Sequence, residues 1–179
     1  FYKKMQNYLV INTFVENSNE NIRKFSKLAK LCRCSVIDCN FKVIEQSLSI
    51  IMLFSGTWDA IAKMEDMLDK LEKENNIVIQ RKRTEIGKLQ ENCIPYAIDI
   101  VGPDQENLTF NIINFLLDGD LFIKRVSSSV FESSQTGIKM FTLHMIAHIP
   151  SNSSISTIRN EFTEFCDQFN LDAIMEPMK

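Results

Sequence analysis

No apolar run in this chain approaches the roughly 20 residues that a membrane-spanning helix requires, and no charged, then apolar leader opens it. Neither bilayer insertion nor secretion is expected, and a cytoplasmic location is. Phe1 is not a natural first residue; Met5 is a candidate start, which leaves open whether residues 1–4 are native. A basic stripe is lacking as well. The net charge is -3 and the pI is about 5.5, and the run Arg81, Lys82, Arg83 is the one basic cluster. Binding to DNA requires enough lysine and arginine to neutralise several phosphates, so direct contact with nucleic acid is not expected.

Metal and catalytic patterns are equally sparse. The two histidines, His144 and His148, lie four apart on an expected strand. That spacing spans about 13 Å, too far to share a metal ion. Both face away from the core, on the side of Thr142. Five cysteines, at 32, 34, 39, 93 and 166, make an odd number and suggest reduced thiols. Cys32, Cys34 and Cys39 lack a second Cys-x-x-Cys pair. Cys32 falls on a helical stripe and Cys39 on the core side of a strand, so core thiols are expected and no metal. No Ser-His-Asp, Cys-His or paired-carboxylate arrangement is legible, so neither catalytic residues nor a cofactor are expected.

What is present is the same unit twice. In the first, "NYLVINT" (7–13) reads as a buried strand. Ile22, Phe25, Leu28, Ala29 and Cys32 then recur at helical spacing. "SVIDCNFKV" (35–43) alternates, with Ile37, Cys39, Phe41 and Val43 on one face, as a half-buried strand does. "SLSIIMLFSG" (47–56) is another strand. Thr57 is a good N-cap for a helix with Trp58, Ile61, Ala62, Leu68 and Leu71 on its stripe, and "IVIQRK" (77–82) closes the unit. The order recurs as "YAIDIV", a helix over 107–118, "FIKRVSSSVF", "IKMFTLHMIAHI", a helix over 154–169 and "AIME". The last helix places Ile155, Ile158, Phe162, Phe165, Cys166 and Phe169 on one stripe, with Ser153 or Ser154 as its cap. The expected fold is α+β: two ferredoxin-like βαββαβ domains in tandem, 1–83 and 95–179, joined by a linker at 84–94. In "SIIML", Ile51 and Leu53 lie opposite Leu48, Ile50 and Met52. A strand apolar on both faces has both covered, so Ile51 and Leu53 are expected against the other domain or a second subunit.

The loops are the remaining candidates for function. "VGPDQEN" (101–107) runs from a strand into a helix, where unpaired N–H groups and the helix dipole favour an anion. There Gly102 suits a tight turn at positive φ, and Asp104 suits the helix cap. The N–H groups of Gln105, Glu106 and Asn107 are then the free donors. The equivalent first loop, "VENSNEN", has no glycine; Glu16, Asn17 and Asn19 are its candidate polar contacts.

These loops, in this strand order, resemble those of the ACT domain, an amino-acid-binding module. Its first loop often reads Gly-x-Asp-Arg-Pro-Gly. Residues 102–107 read Gly-Pro-Asp-Gln-Glu-Asn, matching at Gly102 and Asp104 and departing at the last three positions. In the first unit, Val15, Asn17, Ser18, Asn19 and Glu20 replace every residue of the motif. "YLVI", "CRCSVIDCNF" and "IMLFSGTWDAI", with Cys-x-Cys at 32–34 and Ser-Gly-Thr-Trp at 55–58, resemble the glycine cleavage system transcriptional repressor family, whose members carry two ACT domains. The resemblance covers both units, by residues in the first and by pattern in the second. It implies a non-catalytic cytoplasmic regulator. Such a protein binds a DNA-binding activator of the glycine cleavage operon rather than DNA, and glycine relieves the repression. It leaves a homodimer open. The alternative is an ACT-type amino-acid sensor that regulates an enzyme.

Overall fold

One-sided alternation in the inner strands organises each half of the molecule. The computed structural model describes residues 6–87 and 92–178. The chain divides into two units, residues 1–87 and 88–179. The first runs β1 (Asn7–Glu16), α1 (Asn19–Cys32), β2 (Ser35–Ile44), β3 (Ser47–Gly56), α2 (Trp58–Asn75) and β4 (Ile79–Thr84). Its strands form one antiparallel sheet in the order β2-β3-β1-β4. Leu9, Ile11, Thr13 and Val15 of β1 and Leu48, Ile50, Met52 and Phe54 of β3 are buried. They form one core with Phe25, Leu28 and Cys32 of α1 and Ile61, Met64 and Leu68 of α2. Each such apolar side chain contributes about 1.5–3 kcal/mol on burial. Thr13 is the polar member of that row, and its hydroxyl donates to the Val78 carbonyl at 2.7 Å.

The second unit repeats the plan with β5 (Cys93–Pro103), α3 (Leu108–Asp118), β6 (Phe122–Glu132), β7 (Lys139–Pro150), α4 (Ile155–Gln168) and β8 (Asp172–Pro177). Its sheet order is β6-β7-β5-β8, again antiparallel. The expected tandem βαββαβ architecture is therefore observed. The α4 stripe holds: Phe162 and Cys166 are buried, and Ile155, Ile158, Phe165 and Phe169 pack against the same core. Phe165 stacks on Phe115 of α3 with ring centroids 4.6 Å apart. Ser154 caps α4, accepting from Thr157 N at 3.4 Å. The expected linker, 84–94, is shortened from its far side, because β5 begins at Cys93. Residues 88–91 of that linker, like residues 1–4, lie outside the described residues.

Several expectations need correction. β2 is an edge strand, and its register shifts between Val36 and Asp38. Cys39, Phe41 and Val43 do stand opposite the buried Met52, Ile50 and Leu48. Of these three only Phe41 packs on the core, while Val43 and Cys39 are exposed. Ile37 falls in the register shift and is exposed too. The alternation was real, but an edge strand with a bulge escapes the cover of the helices. Trp58 does not join the α2 stripe. It is exposed, with the Arg83 guanidinium carbon 5.8 Å from its ring centroid. In the single chain Ile51 is 45% exposed and Leu53 half-buried, so the cover expected for them is a matter of assembly and not of this sheet's own core. β6, the other long edge, carries a matching register shift between Ile123 and Arg125.

Charge fastens β4 to α2. Arg83 pairs with both oxygens of Glu65, at 2.9 and 2.7 Å, and Arg81 bonds Asp69 at 2.6 Å and also Glu72. The Arg83 hydrogen bonds hold the Glu65 carboxyl below its ordinary range. A carboxyl whose pKa is lower folded than unfolded stabilises the fold above the unfolded pKa and loses that contribution as the pH falls. Glu65→Gln is therefore expected to melt below wild type at neutral pH, with the gap closing in acid; melting curves across pH check this. Burial pushes the Cys166 thiol up to about 11 and raises Cys32 as well. In a native alkylation time course read by mass spectrometry, exposed Cys39 should label first, and Cys32 and Cys166 only after denaturation.

Candidate functional site

The loop between β5 and α3 is held from three sides. β5 pairs with β7 as far as Pro103 opposite Met140, and Asp104 N prolongs the ladder by donating to the Lys139 carbonyl at 2.9 Å. Gln105 Nε2 donates to the Phe169 carbonyl at the end of α4, at 2.6 Å. Asn107 then takes a left-handed conformation, φ 60° and ψ 16°, and α3 begins at Leu108. Asn111 N makes the first helical bond, to the Asn107 carbonyl.

This geometry changes two sequence expectations. Gly102 is not a positive-φ turn; it is a strand residue opposite Phe141. Its role is close approach. A Cβ there would stand 2.6 Å from Leu171 Cδ2 and 3.0 Å from the Asn170 carbonyl oxygen, where the turn from α4 into β8 crosses the strand. Nor does Asp104 cap the helix. The N-cap is Asn107, whose side chain makes no capping bond. The strand simply runs on past the point where the Gly-Pro-Asp signal suggested a stop. The helical N–H groups lacking an intrahelical acceptor therefore belong to Asn107, the N-cap, and to Leu108, Thr109 and Phe110; of the expected donors Asn107 is among them, while Gln105 and Glu106 precede the helix. The first turn of α3 contains no acidic residue.

The α3 N-terminus opens on a cavity of about 490 Å³. Asp104, Gln105 and Asn107 line it together with Leu108, Thr109 and Phe110. Ser128, Ser129 and Val130 of β6 and Phe141 of β7 form the opposite wall. Of the expected residues, Gly102 and Glu106 do not line it. The serines were missed, although a Ser-Ser-Ser run between Val126 and Val130 was the available signal. A carboxylate fits the donor end, where the free N–H groups and the helix dipole converge. An ammonium fits the Asp104 carboxylate.

The first loop is built differently. Ser18 caps α1 by accepting from Asn21 N at 3.2 Å, and Asn21 Nδ2 donates to the Glu16 carbonyl at 2.9 Å. Asn17 N donates to the Gln46 carbonyl at 3.1 Å. Asn19 is the first helical residue, and Glu20 pairs with Lys24 at 2.8 Å. The backbone groups of Glu16 and Asn17 thus serve a capped turn, and Glu16, Asn17 and Asn19 are exposed.

Residues 7–82 match the model of the ACT domain family. The first unit is an ACT domain. The chain as a whole has the tandem ACT fold. It is 21% identical over 165 residues to the glycine cleavage system transcriptional repressor of Escherichia coli (strain K12), covering 92% of this chain and 87% of that protein. Among solved structures it is similar to a provisionally named glycine cleavage system transcriptional repressor, with TM-score 0.70, 19% identity and coverage of 98% and 99% of the two chains. It is also similar to an unknown protein from Galdieria sulphuraria, with TM-score 0.75, 14% identity and coverage of 98% and 100%.

The contact between Gly102 and the α4–β8 turn supplies a test of how the loop is positioned. Gly102→Ala must push back a backbone carbonyl as well as a leucine methyl. It is expected to destabilise the protein by about 1–3 kcal/mol, measured by urea unfolding.

Proposed function

We propose that this protein is a non-catalytic regulator that senses a small amino acid in the α3 cavity of the second ACT domain and acts through a protein partner. The single observation that carries this reading is the uncapped α3 N-terminus facing a cavity of mixed lining, with Asp104 among its polar residues. Two opposite charges can be met there at once, the carboxylate at the helix N–H groups and the ammonium at Asp104. That pairing selects a zwitterion over a simple anion. Glycine as ligand and a DNA-binding activator of the glycine cleavage operon as partner are what the resemblance to the repressor family implies, and the chain's similarity to proteins named glycine cleavage system transcriptional repressor supports that reading. The net charge of -3 agrees with action through a protein rather than on nucleic acid. The wall of Phe110, Val130 and Phe141 leaves room for a larger apolar amino acid too, so the panel to be tested extends beyond glycine.

Calorimetry on the full chain tests the reading, with glycine and a set of small amino acids at millimolar concentration. Saturable heat is expected for at least one of them. Because Asp104 is not the helix cap, Asp104→Ala should remove most of that response and leave the melting temperature nearly unchanged. An absence of heat with every amino acid in wild type would reduce the loop to a turn. Co-elution with the activator in size exclusion, with and without the ligand, tests the partner separately.

A further inference from the structure

The helices of the two units carry opposite charge. In α1 the cations Arg23, Lys27 and Lys30 are scattered along the chain, but their spacings of four and three place them on one helical stripe. All three are exposed, and among the described residues none of them has an ion-pair partner. The neighbouring Lys24 is already taken by Glu20 and Asn75. Leu31, four residues after Lys27, is 51% exposed, and Lys63 of α2 donates to its carbonyl at 2.8 Å. An apolar knob thus stands on a cationic surface. The second unit is an internal comparison. α3, the counterpart of α1, contains no lysine, arginine or histidine, so the fold does not demand the stripe.

The complement lies on the other unit. Between α3 and α4 is a concavity of about 210 Å³, with Phe115, Gly119, Leu121 and Ile158 as its apolar lining and Asp118 and Glu161 as its charged lining. Glu164 and Asp167 continue the acidic row along the exposed side of α4. Among the described residues none of these four carboxylates has an ion-pair partner. Asp118 sits in the last turn of α3, which has no basic residue, so the negative end of the helix dipole adds to its charge. The one cation of α4 is engaged elsewhere: Arg159 donates to the Met175 carbonyl at 3.2 Å and lies over the Tyr96 ring. Exposed ion pairs are weak one at a time. Charge therefore selects and orients a contact here, and an apolar side chain seated in the concavity holds it. A nucleic acid would use the cations of α1 and leave the concavity empty, whereas this chain carries both halves of the fit.

We propose that a second copy of this chain docks on these surfaces, Leu31 of one copy seated in the α3–α4 concavity of the other, with Lys27 and Lys30 facing Asp118 and Glu161. The contact is separate from the cavity at the α3 N-terminus and stands or falls without the amino-acid reading. Sedimentation velocity on the full chain, across a range of protein and salt concentrations, tests it. The expected result is association that rises with protein concentration and falls as salt screens the charges. Leu31→Gln should weaken it tenfold or more. Lys27→Glu with Lys30→Glu, and separately Asp118→Lys with Glu161→Lys, should each abolish it, and an equimolar mixture of these two variants should restore it. Lys124→Glu with Lys139→Glu, which shifts the net charge as far as the first pair, should leave association within twofold of wild type. Melting curves confirm that the variants fold; Leu31→Gln, at an exposed position, carries the test alone where a reversal does not. The proposal is overturned by any of four results: a sedimentation coefficient independent of protein concentration, association unchanged by Leu31→Gln, no recovery in the mixture of folded variants, or equal loss in the Lys124 and Lys139 control.

Discussion

Every second side chain of the inner strands is given to one pair of helices, and the rest of each unit follows from that one-sided burial. Leu9, Ile11 and Val15 beside Leu48, Ile50 and Met52 make the core of the first unit. Ile98 and Ile100 beside Leu143, Met145 and Ala147 do so in the second. The residues between them point the other way and are free of the packing constraint. Ile51 in one sheet and His144 in the other can therefore differ in chemistry while their neighbours along the strand remain buried apolar residues. The strand ends are similarly free, which is why the two β–α loops diverged while the elements around them did not.

The two loops illustrate a competition for the same hydrogen-bond donors. A serine at the N-cap satisfies a backbone N–H of the first helical turn with its own oxygen. Ser18 does this for α1, and the donor is spoken for. Asn107 sits at the same point before α3 but turns left-handed, and its side chain makes no such bond. A helix end left this way costs some local stability and keeps its donors available to something else. The Gln105 bond to the end of α4 holds the loop in place without filling the helix terminus.

The helices were the most legible elements, because a 3.6-residue period needs no knowledge of partners. The α4 stripe from Ile155 to Phe169 is the clearest case. Strand phase was legible too: Cys39, Phe41 and Val43 do share the core-facing side. Their burial was not, because that depends on which strand lies at the edge and where the register slips, and both are set by pairing with β3. The cap of α3, though not its start, was misplaced by a local signal. Gly-Pro-Asp resembles a turn and a cap, yet Asp104 still belongs to the ladder through Lys139. The cavity wall at Ser128 and Ser129 was hidden for a related reason. Those serines meet the loop only once β6 is laid beside β7.

The sheet edges differ in how they resist sticking. β4 and β8 have 6 residues each, and β4 is charged by Arg81, Lys82 and Arg83. Short, charged edges make poor templates for another strand. β2 and β6 are longer, at 10 and 11 residues, and expose Val36, Val43, Ile44, Val126, Val130 and Phe131. Asp38 and Lys42 in β2 and Lys124, Arg125 and Glu132 in β6 put some charge on them, and each also carries a bulge near its start. A bulge interrupts the even row of donors and acceptors and twists the strand locally. A foreign strand can then match only part of such an edge before the hydrogen bonds fall out of step. In a crowded solution this sets a length limit on edge-to-edge pairing, and it separates a brief, reversible encounter from the seed of a fibril.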